Sequence, residues 1–171
     1  MPKINVVGCG HGSFVRFRGQ PDEERYSPYP EGRSLATLKH AITLIETHIY
    51  KKKKHCNSYF KTLPKGHTFD AVWEDPSIWI NYDHRVTGAY YGATNDSDTE
   101  ITIYEDAFRR GHWWVVGTIL HELAHVNGAL GGNSIAAESC LKFCGLSALF
   151  DPSAVGGIFP VVNRDTGDRR V

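Results

Sequence analysis

Methionine is all but missing from this 171-residue chain, since Met1 is the only one. Cysteine is scarce too, with Cys9, Cys56, Cys140 and Cys144 scattered along the sequence. So few thiols argue against a disulfide framework and suit reduced cysteines in a cytosolic chain. Cys140 and Cys144 stand four apart, yet two thiols alone make no metal site, and they read as small buried apolar residues. An excess of either charge is also absent, because nineteen Lys and Arg balance nineteen Asp and Glu. Neither nucleic acid nor an anionic membrane is therefore called for as a partner. No apolar run reaches the roughly 20 residues that a bilayer needs. The opening Met-Pro-Lys-Ile-Asn-Val-Val has too short an apolar run for a secretory signal, so the chain is expected to be cytoplasmic as synthesised.

What is present is the pentapeptide His121-Glu122-Leu123-Ala124-His125, inside the apolar stretch Trp113 to Leu130. With nine His in the chain, independent placement yields roughly 0.02 accidental matches to His-Glu-x-x-His, so chance is a poor account of it. On a helix, histidines four apart project from one face, and both imidazoles can reach one ion. The glutamate beside the first then stands where it can take a proton from water on that ion. The segment His112 to Val126 reads as a buried helix whose polar exceptions are His121, Glu122 and His125. Buried polar groups need partners, and Zn2+ would supply them. A catalytic zinc takes a third protein ligand and leaves a position for water. No histidine follows His125, which leaves Glu138, Asp151, Asp165 and Asp168 as downstream candidates.

Residues His121 to Gly131 read His-Glu-x-x-His-x-x-Gly-x-x-Gly, which resembles the metzincin peptidases until a glycine stands where their third histidine would be. A chain whose only methionine is Met1 also lacks their methionine turn. From about Ile101 to Pro152 the sequence more closely resembles the gluzincins, zincin peptidases with a third ligand glutamate on the helix after the motif. That resemblance implies a metal set of His121, His125 and Glu138 with Glu122 as general base. It also implies a peptide or protein substrate. The stretch Gly128-Ala-Leu-Gly-Gly-Asn-Ser reads as a helix stop, a turn and a new start, with Gly131 and Gly132 at the break and Asn133 or Ser134 as N-cap, and Glu138 early in a helix running to about Phe150. The short linker and the sequence Glu138-Ser-Cys-Leu-Lys-Phe depart from large gluzincins and are similar to small bacterial effector and toxin metallopeptidase domains. That likeness implies export by a specialised secretion system and a cognate inhibitor or immunity protein.

Elsewhere the patterning is plainer. Residues 1–33 read as an irregular N-terminal segment, and Gly8, Gly10 and Gly12 imitate a phosphate loop without the strand and helix it needs. From an N-cap at Ser34, the spacing of Leu35, Leu38, Ile42, Ile45 and Ile49 predicts a helix ending near Lys51 to His55, whose lysines suit a helix C-terminus. Short runs at His67–Trp73, Ile78–Tyr82, Val86–Tyr91 and Thr99–Tyr104 have strand character, the last two joined as a hairpin through Thr94 to Thr99. Asn95, Asp96 and Asp98 fall short of a calcium loop and read as a solvated turn. The strand Glu100 to Tyr104 resembles the strand that runs along the cleft in zincins, which implies that an extended peptide would pair with it. Tyr82, His84, Arg85, Tyr90, Tyr91 and Tyr104 are candidate oxyanion donors, His84 and Tyr104 foremost. The expectation is one α+β zincin-like domain over residues 1–171: a backing helix, a small twisted sheet, the motif helix and a C-terminal glutamate-bearing helix, with 163–171 a tail. Two further readings stay open, a peptidoglycan peptide hydrolase with the same zinc site and a non-catalytic zinc-binding module.

Overall fold

A computed structural model describes residues 1–12, 14–16, 23–25, 27–84, 91–95, 97–131 and 134–149, with only the backbone of 14–16 and 23–25. In chain order the elements are β1 (Lys3–Ile4), β2 (Phe14–Arg16), β3 (Glu23–Arg25), α1 (Arg33–Leu44), α2 (Lys54–Phe60), α3 (Phe69–Glu74), β4 (Trp79–Asp83), β5 (Gly92–Thr94), β6 (Glu100–Tyr104), α4 (Glu105–Arg110), α5 (His112–Val126) and α6 (Ile135–Phe143). The architecture is α+β. Strands pair in the order β1-β4-β6-β5, the first three parallel and β5 antiparallel, while β2 and β3 form a separate hairpin. Among the described residues no helix is long and apolar enough to cross a membrane.

The apolar stripe expected after residue 33 does form a helix, and Leu38, Ala41, Ile42, Ile45 and Ile49 are buried. α1 packs against α5 as the backing helix. Its start and end differ from expectation. Ser34 is inside the helix, its hydroxyl donating to Glu105 Oε2 at 3.2 Å, and Gly32 holds the N-cap position. Beyond Leu44 the coil widens into a π turn over Ile45–Ile49, then tightens into a 3-10 turn over Tyr50–Lys52. The lysine run thus bridges two helices rather than closing one, and Lys53 Nζ pairs with Asp70 at 3.0 Å.

Residues 67–73 are not a strand. Thr68 caps α3, accepting from the Ala71 amide, and the buried Phe69, Val72 and Trp73 follow a three-and-four spacing that fits a helix face. The described part of the N-terminal segment carries three short strands. Lys3 and Ile4 extend the sheet beside β4, and Tyr29 is fully buried. A polar chain runs beneath it: the Asn5 amide donates to Asn81 Oδ1 at 2.9 Å, and the Asn81 amide donates to Glu100 Oε2 at 2.7 Å. His11 closes that chain 3.0 Å from the same carboxylate oxygen, stacked on Trp79. Burial demands such completeness, because an unpartnered amide in the sheet interior would be costly.

The hairpin joins β5 to β6, while residues 86–90 of the expected strand lie outside the described residues, as does Asp96. In its turn, Asn95 Oδ1 accepts from the amides of Thr99 and Glu100, and Asp98 pairs with Lys65 at 2.9 Å. Those oxygens serve the turn. β6 is not the sheet edge: β4 bonds one side and β5 the other, and all five of its residues are buried. The edge strands of this sheet are β1 and β5, and β5 is the one beside β6.

The thiols also differ from expectation, since Cys56 of α2 is disulfide-bonded to Cys144 at the end of α6 across 88 positions of sequence. Two scattered cysteines meet because α2 and α6 pack together, with Tyr59 stacked on Phe143 and its hydroxyl donating to the Ala136 carbonyl. Cys140 is free and buried, and Cys9 is free and exposed. In denaturant without reductant, an alkylating reagent is expected to label Cys9 and Cys140 but not Cys56 or Cys144. Replacing Cys144 by Ser should lower unfolding stability by about 2–4 kcal/mol, read by chemical denaturation.

Candidate metal centre

α5 begins after Gly111, whose φ of +105° turns the chain out of α4, and every residue from Trp114 to Val126 is buried. Its end is set by Gly128, at φ +91°. The Gly128 amide donates to the His125 carbonyl at 2.8 Å and the Ala129 amide to the Ala124 carbonyl at 3.0 Å, the paired bonds of a Schellman stop. The helix therefore stops at the head of the expected stop-turn-start stretch, ahead of Gly131. Asn127, fully buried at this end, locks the stop to the preceding loop, its side-chain amide donating to the carbonyls of Phe60 and His67.

The stop does more than end the helix. It brings the Ala129 carbonyl to 3.0 Å from His125 Nδ1. A carbonyl only accepts, so Nδ1 carries the hydrogen and Nε2 presents its lone pair. That Nε2 stands 3.0 Å from His121 Nε2. Two imidazoles one helical turn apart thus turn their Nε2 atoms toward each other within hydrogen-bond distance, with their Nδ1 atoms turned outward.

α6 supplies the third member. Ser134 caps it, accepting from the Ala137 amide at 3.4 Å, which selects the second of the two expected caps; Asn133 lies outside the described residues. The helix ends at Phe143, earlier than expected, because Gly145 at φ +92° closes a second Schellman stop through the Leu146 amide and the Leu141 carbonyl. Glu138 sits in its first turn and packs toward α5. One carboxylate oxygen lies 3.3 Å from His121 Nδ1, on the ring edge away from His125. Neither oxygen of Glu138, nor that Nδ1, has a hydrogen-bond partner, although all are buried.

Glu122 faces the sheet instead. The Thr94 hydroxyl of β5 donates to Glu122 Oε2 at 2.7 Å and also approaches the Glu122 carbonyl at 3.2 Å. His121, Glu122, His125 and Glu138 are 2–7% exposed, so four titratable groups share one nearly dry volume. Burial pulls the proton affinity of His121 down, but the contact with Glu138 and the charges of Glu122 and Glu138 outweigh it and raise the imidazole above its ordinary value of 6.5. Burial, with the same two carboxylates, pushes the Cys140 thiol well up, which leaves it protonated and unreactive.

The donor chemistry suits a cation. Imidazole nitrogens and carboxylates are zinc ligands, and an unpartnered buried carboxylate lacks a positive charge. As they stand, however, Glu138 flanks the outer edge of His121. Among the described residues no three or more His, Cys, Asp or Glu side chains are arranged to hold a metal ion. Asp151, Asp165 and Asp168 lie outside the described residues, as do Arg85 and Tyr90. Of the other oxyanion candidates, Tyr82 gives its hydroxyl to Glu105 Oε2 at 2.8 Å, and burial with that carboxylate pushes it up to about 12. Tyr91 lies under the Arg110 guanidinium, Tyr104 is buried at the start of α4, and His84 is exposed beyond β4.

Thr94 and Gly92 are the contacts that sequence reasoning passed over. A glycine within a strand often marks a close backbone approach, and that signal was available at Gly92. Compared with protein-family models, with curated proteins and with solved structures, the chain matches none.

The raised His121 value has a definite sign in the metal-free protein. Its contribution to stability is full below pH 6.5 and is lost as pH rises through the higher folded-state value. Unfolding free energy measured against pH should show this dependence, and His121→Asn should flatten it.

Proposed function

We propose that this protein is a zinc-dependent hydrolase of peptide bonds, with His121, His125 and Glu138 as metal ligands and Glu122 as general base. The observation that carries the reading is the pair of Nε2 atoms 3.0 Å apart, with His125 oriented from its other side by the Ala129 carbonyl and the buried carboxylate of Glu138, without a hydrogen bond, beside His121. Imidazoles that bind metal are commonly oriented in this way by a carbonyl or carboxylate. When bound, zinc would supply a water acidified toward neutral pH and a Lewis acid for the substrate carbonyl.

The chain's own residues divide the remaining work. Glu122, one residue beyond His121 on the same helix, takes the proton of the attacking water and returns it to the leaving amine. β5 at the sheet edge is where an extended peptide can add its backbone, the place first assigned to Glu100–Tyr104. The closed surroundings of the four groups strengthen charge interactions within them.

Glu122→Gln should retain bound zinc by metal analysis while losing roughly 10²–10⁴-fold in peptide hydrolysis, the usual worth of a general base. Retained activity in that variant would remove Glu122 from the mechanism. The role of Glu138 separates by affinity. As a ligand, its replacement by Ala should weaken zinc binding, in competition with a chelator, by more than the roughly 10–100-fold expected of a carboxylate that only orients an imidazole.

A further inference from the structure

We infer that Thr94 and Gly92 of β5 are positioning residues for Glu122, an assignment that rests on the general-base reading above. The evidence is geometric and comes from both sides of the carboxylate. On one, the Thr94 hydroxyl donates to Oε2 at 2.7 Å, within the short range of a hydrogen bond to a charged acceptor. On the other, a Cβ at Gly92 would stand 2.8 Å from Oε1, 2.7 Å from Thr118 Cγ2 and 2.9 Å from the Thr102 carbonyl. Two of those neighbours leave no room to give: Thr102 is backbone in the central strand, and Thr118 is buried with its hydroxyl tied to the Trp114 carbonyl at 2.9 Å. The strand can press onto the helix at this level only because residue 92 has no side chain. That closeness in turn brings the Thr94 hydroxyl within reach of the carboxylate.

The consequence for the reaction is directional. A glutamate side chain has three rotatable torsions and would otherwise sample several orientations. Held between a donor and a glycine floor, this one is confined to a narrow set, and a base aimed in advance loses less rate to misorientation. The Thr94 hydroxyl acts through Glu122 and touches neither substrate nor ion in this assignment.

The test uses the full chain with Thr94→Val, which removes the hydroxyl at nearly constant shape, Thr94→Ser, which keeps it, and Gly92→Ala. Each is assayed for zinc content, for kcat and KM on casein-derived fluorogenic peptides, and by crystal structure for the direction of the Glu122 side chain. Thr94→Val is expected to bind zinc at the wild-type ratio, keep KM within about twofold and lose roughly 10–100-fold in kcat, with Glu122 rotated. Thr94→Ser should recover most of the rate. Gly92→Ala should displace the carboxylate with a similar loss, and it serves if the valine variant does not fold. An unchanged kcat and an unmoved Glu122 in Thr94→Val, alongside an inactive Glu122→Gln, would overturn the positioning role and leave the general base intact. Full activity in Glu122→Gln would overturn both.

Discussion

Two imidazoles facing each other across 3.0 Å inside an otherwise apolar helix constrain everything packed around them. A polar turn in such a place is tolerated only when its outward-facing nitrogens and neighbouring carboxylates are provided for. Each surrounding element meets part of that requirement. The Schellman stop at Gly128 delivers the Ala129 carbonyl to His125, α6 delivers Glu138 to His121, and β5 delivers the Thr94 hydroxyl to Glu122. Both oxygens of Glu138 and the Nδ1 of His121 are left without a hydrogen bond, a gap that a cation would close.

The elements that make these deliveries are themselves secured at a distance. α6 is a nine-residue helix, too short to stand by its own propensity. Packing on α5, the Tyr59 ring against Phe143 and the Cys56–Cys144 bond hold it in register, and Glu138 is held with it. β5 is shorter still, yet Gly92 lets it lie directly on α5 while β6 supplies its backbone partners. The Asn5, Asn81 and Glu100 chain fixes the strands behind β6, so the sheet gives the helix a firm floor. Precision at the site therefore comes from small elements braced by larger ones.

Much of this was legible in the residues. His-Glu-x-x-His inside an apolar run specified a buried helix with its polar groups on known positions, and the stripe from Leu35 to Ile49 specified the helix behind it. Gly128, at the head of the expected helix stop, and Gly145, inside a helix expected to run to about Phe150, end their helices because a residue without Cβ takes the left-handed conformation easily. Residues 67–73 misled because Phe, Val and Trp suit a strand by type, and their three-and-four spacing was the better guide. Scarcity misled with the cysteines, since a count and a spacing carry no information on which thiols end up adjacent.

By itself, then, the sequence determined which groups would be polar, buried and four residues apart on one helix, because helical period is a local property read along the chain. It also placed Glu138 early in the next helix behind a cap at Asn133 or Ser134, and the structure chose Ser134. Only the tertiary structure decided which strands lie at the edges, which cysteines join, which nitrogen of His121 meets Glu138 and what holds Glu122. Those outcomes depend on distances between segments far apart in sequence, and such distances follow from how whole surfaces pack rather than from any local pattern.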